Sequence, residues 1–198
     1  KLMIPNIIME AIGEVYDNAV KHGFHDHKHS DADYKMMIIT EISEVINADR
    51  NNRHVDKYGK VIVQLSILDY PFEYHFRKYI KDTVEDEFSD VVIRTLDFIG
   101  VLMNTKESTF NVKKFVEYIR QMGAVLPSVH SDWSMTECAY RAVLATDFYE
   151  SHMERDVAYM LAFIDAWAGF AGIDDLWEYI DWKIRYNTMR PKLNGKAY

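Results

Sequence analysis

Residues 82–103 read DTVEDEFSDVVIRTLDFIGVLM, and this stretch decides the fold. It holds no proline, and its apolar residues recur at helical spacing over about six turns, so it predicts one long helix from Asp82 to Met103. Glu87-Phe-Ser-Asp90 places two carboxylates three residues apart on one face of that helix, directly ahead of Val91 and Val92. Outward from here the pattern continues. Towards the N-terminus, helices are expected over Ile7–Lys21, closed by His22-Gly23, and over Asp33–Asn51, with Ile38, Ile42, Val45 and Ile46 on one face. Between them His22 to Ser30 is a polar loop, with Ser30 or Asp31 as N-cap. Towards the C-terminus, helices are expected over Asn111–Met122, Ser134–His152, Glu154–Ala171 and Ile173–Met189, the last stopped by Pro191. The region 53–79 is ambiguous: Val61-Ile62-Val63 and the run from Leu65 to Leu68 fit a strand or a short buried helix equally. With 4 Pro and 8 Gly, none in a linker-like cluster, the expectation is all-α, a helical bundle with extra helices in one domain over residues 1–198.

Composition excludes several function classes. Hydrophobic content of 48% with 14% aromatic residues excludes intrinsic disorder. Thirty-one acidic against 23 Lys+Arg residues give a net charge of −8, which argues against a nucleic-acid binder working through phosphate neutralisation. The longest apolar stretch, Val157 to Ile173, is interrupted by Asp165 and falls short of the ~20 residues a membrane span needs, so no membrane partner is expected. The single cysteine, Cys138, has no internal disulfide partner and reads as core, and no basic-then-apolar leader opens the sequence. A cytoplasmic location is the expectation.

The carboxylates carry the chemistry. The helix over 33–51 contains Glu41-Ile-Ser-Glu44, the same three-residue spacing, flanked along the stripe by Met37 and Ala48. Acids bracketed by apolar or small residues point inward. Packed antiparallel, the two helices would bring Glu41, Glu44, Glu87 and Asp90 together, and such a cluster calls for a cation. All-oxygen ligation suits a hard ion, Mg²⁺ or Mn²⁺. The bland reading is a solvated acidic helix face. Against it stands a second feature: Lys183, Asn187 and Arg190 fall at i, i+4 and i+7 on the last helix, ahead of Gly195-Lys196, as a stripe of donors suited to phosphate oxygens. Arg94 follows Asp90 by four residues and is expected to partner a carboxylate; Asp97 continues the same stripe.

Glu41-x-x-Glu44 in Ile-Ile-Thr-Glu-Ile-Ser-Glu-Val, with Glu87-x-x-Asp90 in Val-Glu-Asp-Glu-Phe-Ser-Asp-Val-Val, resembles the MazG-like all-α nucleoside triphosphate pyrophosphohydrolases. That superfamily includes the dimeric dUTPases and the dCTPases, and its signature is EExxE followed by ExxD. Lys21-His22-Gly23-Phe24 and the tail Lys183, Tyr186-Asn187, Arg190-Pro191, Gly195-Lys196 add to the resemblance, which covers most of the chain in pieces. Thr40 stands where the signature has its first Glu, and the 42-residue spacer from 45 to 86 is longer than usual. The resemblance implies a four-helix-bundle core and Mg²⁺-dependent attack of water on the α-phosphorus of an NTP or dNTP, with a nucleoside monophosphate and pyrophosphate as products. It implies Glu41, Glu44, Glu87 and Asp90 as metal ligands, with Lys183, Asn187, Arg190 and Lys196 on the phosphates. Asn18, His22 and Phe24 are candidates for a base pocket, and a homodimer or homotetramer is expected.

Competing readings are narrower. A ferritin-type di-iron bundle needs Glu-x-x-His, and no Glu here is followed by His three residues later. A catalytically silent helical interaction protein is the remaining alternative. His22, His25, His27 and His29, without cysteine, form a poor zinc set and read as a loop or pocket rim. Trp133, Trp167, Trp177 and Trp182, with Phe163 and Phe170, read as core or subunit interface. The helices at 134–152 and 154–171 read as a degenerate second copy of the acidic pair, in which Glu137 and Glu154 lack ligand partners.

Overall fold

A computed structural model describes residues 4–67, 71–106 and 108–191. Every regular element among them is helical: α1 Pro5–Lys21, α2 Asp31–Arg50, α3 Lys57–Ser66, α4 Phe72–Tyr79, α5 Val84–Asn104, α6 Val112–Ala124, α7 Met135–Ala145, α8 Met153–Phe170 and α9 Leu176–Thr188, with a 3₁₀ turn at Glu150–His152. The fold is all-α. Among the described residues no helix is long and apolar enough to cross a membrane.

The stretch quoted first forms the central helix. Thr83 caps α5 by accepting from the Asp86 N–H, and the helix packs on α1, α2, α8 and α9. Phe88, Val91, Val92, Leu96, Phe98 and Ile99 are all within 2% of complete burial. Removing side chains of that size from water stabilises by about 1.5–3 kcal/mol each. α2 runs antiparallel to it: Tyr34, near the start of α2, stacks on Phe98 late in α5, whereas Glu41 meets Arg94 one turn earlier. The start of α2 is fixed by Ser30, whose hydroxyl and backbone N–H exchange hydrogen bonds with Asp33 in a capping box. α1 ends as expected at Gly23, whose φ of +80° suits glycine and turns Phe24 back so that its N–H reaches the Ala19 carbonyl.

The structure corrects the expected boundaries in two places. The ambiguous region holds two helices, α3 and α4, started by Asp56 accepting from the Gly59 N–H; Leu68 lies outside the described residues. Phe72 and Phe76 of α4 are fully buried, and Phe76 stacks on Tyr186 of α9 at 4.5 Å, which ties this hairpin to the last helix. The expected helix 134–152 stops instead at Ala145. There the Thr146 hydroxyl donates to the Val143 carbonyl, and the chain turns to insert Phe148 against Phe98. α8 meets its expectation as a helix buried nearly all round, with Trp167 fully inside, whereas Phe170 at its end is exposed. Cys138 is core. Glu137 pairs with Arg141, and Glu154 accepts from the Asn111 N–H, so neither enters a carboxylate group among the described residues.

Candidate active site

The antiparallel register of α2 and α5 brings acids from the two helices together. One carboxylate oxygen each from Glu41, Glu87 and Asp90 lies within 4.8 Å of the others. A second triplet, Asp82, Asp86 and Glu87, shares Glu87 with the first. The first turn of α5 carries Glu85, Asp86 and Glu87, and all three are buried. The unsatisfied N–H groups of a helix start favour negative charge there. Glu85 and Asp86 also accept backbone bonds from Val55 and Asp82, which fixes the strand of chain entering the helix.

Two cations answer these acids. Arg94 donates from Nε to Glu41 Oε1 at 3.0 Å, the partnership anticipated from its place four residues after Asp90. Lys183 of α9 is 4% exposed and donates 2.7 Å bonds to both Asp86 Oδ1 and Asp90 Oδ2. Burial disfavours its ammonium, but Asp90 and Asp86 outweigh that and hold it above the ordinary lysine value. The assignment of Lys183 to substrate phosphates is therefore corrected: its charge is spent on the protein's own carboxylates, because Asp86 and Asp90 stand four apart on the face that α9 covers.

Charge balance at the triplet remains incomplete. Burial raises the Glu87 carboxyl, and Asp90, Asp86 and Glu41 raise it further against partial relief from Lys183, to about 8. Burial likewise raises Asp86 above its ordinary value despite the adjacent lysine. Three oxygens this close, with too little positive charge beside them, fit a hard divalent cation, for which the ligand oxygens of an octahedral shell lie about 3–4 Å apart. Glu44 does not join them. It is exposed, with Oε2 accepting from Asn47, since its position on α2 has rotated out of the α5 contact. Thr40 is also exposed and bonds back to the Met36 carbonyl.

A cavity of about 100 Å³ opens beside the triplet. Its lining includes Asn18, Phe24, Glu41, Asp90, Arg94, Asp97, Asn187 and Arg190. Residues proposed from sequence for three separate roles thus share one cavity. Asn187 is 8% exposed, and its Oδ1, like Asn18 Oδ1, has no hydrogen-bond partner among the described residues. Such atoms are costly to bury unless a ligand or water completes them. His22 is corrected: its ring nitrogens lie 2.8 Å from the Asn18 carbonyl oxygen and 2.9 Å from that of Arg190, so it is a strut joining the end of α1 to the end of α9, off the cavity wall. Lys196 lies outside the described residues.

Sequence reasoning missed Asp86, whose only signal was the Glu85-Asp86-Glu87 run, and the pairing of Asp97 with His25. The His25 Nε2–H donates to Asp97 Oδ1 at 2.9 Å, its ring stacks on Tyr16 at 5.2 Å, and Tyr34 Oη lies 3.3 Å from Nδ1. Burial, followed by the Asp97 charge, pushes the Tyr34 hydroxyl up to about 12, so it stays a donor. No family model, curated protein or solved structure matches the chain.

Proposed function

We propose that the chain is a Mg²⁺-dependent nucleoside triphosphate pyrophosphohydrolase, with Mn²⁺ as a substitute, that cleaves an NTP or dNTP at the α-phosphorus to a nucleoside monophosphate and pyrophosphate. One observation carries the reading: Glu41 from α2 converges with Glu87 and Asp90 from α5, and Glu41 and Asp90 line a cavity that also holds Asn187 and Arg190. Glu41, Glu87 and Asp90 would hold the ion, which when bound neutralises phosphate charge and activates a water. Arg190 offers a forked donor set to phosphate oxygens, and Asn187 a neutral donor and acceptor beside it. Lys183 keeps Asp86 and Asp90 close without using the ion's charge, and Arg94 does the same for Glu41. A carboxylate left out of the ligation accepts the proton of the attacking water. Asn18 and Phe24 close the cavity where a base would lie. The same reading carries an assembly of two or four copies, and Tyr58, Val61 and Leu65, exposed at helical spacing on α3, supply a candidate face.

The test offers each NTP and dNTP with Mg²⁺ and measures pyrophosphate and orthophosphate separately. Pyrophosphate matched by monophosphate is the expected result; orthophosphate alone, or no release with either Mg²⁺ or Mn²⁺, refutes it. The alternative, a catalytically silent helical interaction protein, is favoured by one observation, the internal cation Lys183 already seated between Asp86 and Asp90.

A further inference from the structure

Asp97 is 6% exposed and lines the cavity two helical turns beyond Asp90 on α5, away from the carboxylate triplet. Its Oδ1 takes the His25 Nε2–H, and it makes no other hydrogen bond among the described residues. The Tyr34 hydroxyl facing His25 Nδ1 fixes the tautomer: Nδ1 accepts from Tyr34, and Nε2 donates to Asp97. Tyr16 holds the ring from its face. Asp97 is therefore a fixed carboxylate with spare acceptor capacity, built into the wall by three side chains. Beyond His25 lies a separate, larger cleft of about 640 Å³, so the Asp97–His25 pair is the partition that closes this end of the cavity. Elsewhere in the same cavity Asn187 Oδ1 and Asn18 Oδ1 are buried acceptors without donors, and Arg94 and Arg190 line it as cations.

A fixed carboxylate with an unused oxygen repels a carbonyl oxygen set against it and favours an N–H donor. We propose that Asp97 is a specificity-determining residue that selects a nucleobase carrying an exocyclic amino group over its keto counterpart. This rests on the nucleotide reading of the site. Cytosine, adenine and guanine turn an amino group to Asp97. In the same pose uracil sets its O4 against the carboxylate where cytosine has its amino group, and hypoxanthine leaves a C–H where guanine has its amino group, so Asp97 loses that partner, the situation in which sites built to hydrogen-bond discriminate most strongly.

The experiment separates base recognition from turnover by measuring the binding of nucleoside monophosphates calorimetrically in the presence of Mg²⁺. CMP is expected to bind at least about tenfold more tightly than UMP, and GMP more tightly than IMP. Asp97→Asn keeps an oxygen for His25 and adds an amide donor, so the CMP/UMP ratio should fall by about 100-fold or invert. Equal or tighter binding of UMP and IMP by the unchanged protein overturns the proposal without any variant. So does an Asp97→Asn protein that loses affinity equally for all bases. Selective binding without hydrolysis of any triphosphate leaves this assignment standing and refutes the pyrophosphohydrolase reading. Hydrolysis without base selectivity does the reverse.

Discussion

Glu87 gives the sharpest handle on the site, because both its burial and its neighbours act on one proton. In the folded, metal-free protein its carboxyl is raised from the ordinary 4.5 to about 8. Between those values the folded chain holds a proton that the unfolded chain has lost. The folded state therefore binds more protons, and unfolding free energy must fall as pH rises through that window. A span from 4.5 to about 8 sets an upper bound of roughly 5 kcal/mol on the loss, complete above pH 8 and absent below 4.5. Glu87→Gln presents the same shape without the titration. Urea unfolding in EDTA from about pH 5 to 9 should show the wild type losing several kcal/mol more than the variant across the window. Divalent cation binding requires the ionised carboxylate. Titration with Mg²⁺ at about pH 6.5 should then release close to one proton, detected by calorimetry in buffers of different ionisation enthalpy. Apparent affinity should weaken about tenfold for each pH unit below 8. Identical pH slopes for wild type and variant, or Mg²⁺ binding without proton release, would refute the reasoning.

Other substitutions probe separate contacts. Lys183→Met leaves the buried Asp86 and the half-buried Asp90 without their cation, so stability in EDTA near pH 8 should drop by about 3–5 kcal/mol by urea unfolding, with part recovered on adding Mg²⁺. Asp90→Asn should remove Mg²⁺-dependent turnover with circular dichroism unchanged, whereas Glu44→Gln, exposed and outside the triplet, should keep activity within about threefold of wild type. His22→Ala removes the side-chain link from the end of α1 to the Arg190 carbonyl, while the backbone N–H of residue 22 still reaches the Asn18 carbonyl, and so loosens the end of α9; a loss of about 1–3 kcal/mol and a raised KM with little change in kcat are expected from unfolding and steady-state kinetics. Gly100→Ala would place a Cβ 2.7 Å from Tyr16 Cβ, where α5 and α1 nearly touch, and should cost about 1–3 kcal/mol in urea unfolding.

Most of the helices were legible because their signals are local. The run from Asp82 to Met103 announces a helix through spacing alone, Ser30 and Gly23 mark helix ends through hydrogen bonds and φ values that close within a few residues, and the apolar circumference of α8 declares burial without reference to any partner. Residues 57–79 were not, since their short apolar runs suit strand or helix until Gly59 packs on Tyr79 and Phe76 on Tyr186. The break at Ala145 was hidden for the same reason: Phe148 leaves the helix to reach Phe98, fifty residues away in sequence.

By itself the sequence put Glu41, Glu44, Glu87 and Asp90 on stripes of two helices, Glu44 wrongly among the inward ones, and Lys183, Asn187 and Arg190 on a third. Spacing along one helix fixes which side chains share a face, because 3.6 residues per turn is a local property. Which faces meet, and at what height, depends on how two helices rotate and slide against each other, and that is settled by the whole core. Only the tertiary structure therefore decided that Glu44 turns to solvent while Glu41 meets Asp90, that Lys183 bridges Asp86 and Asp90, and that His25 holds Asp97 at the end of the cavity.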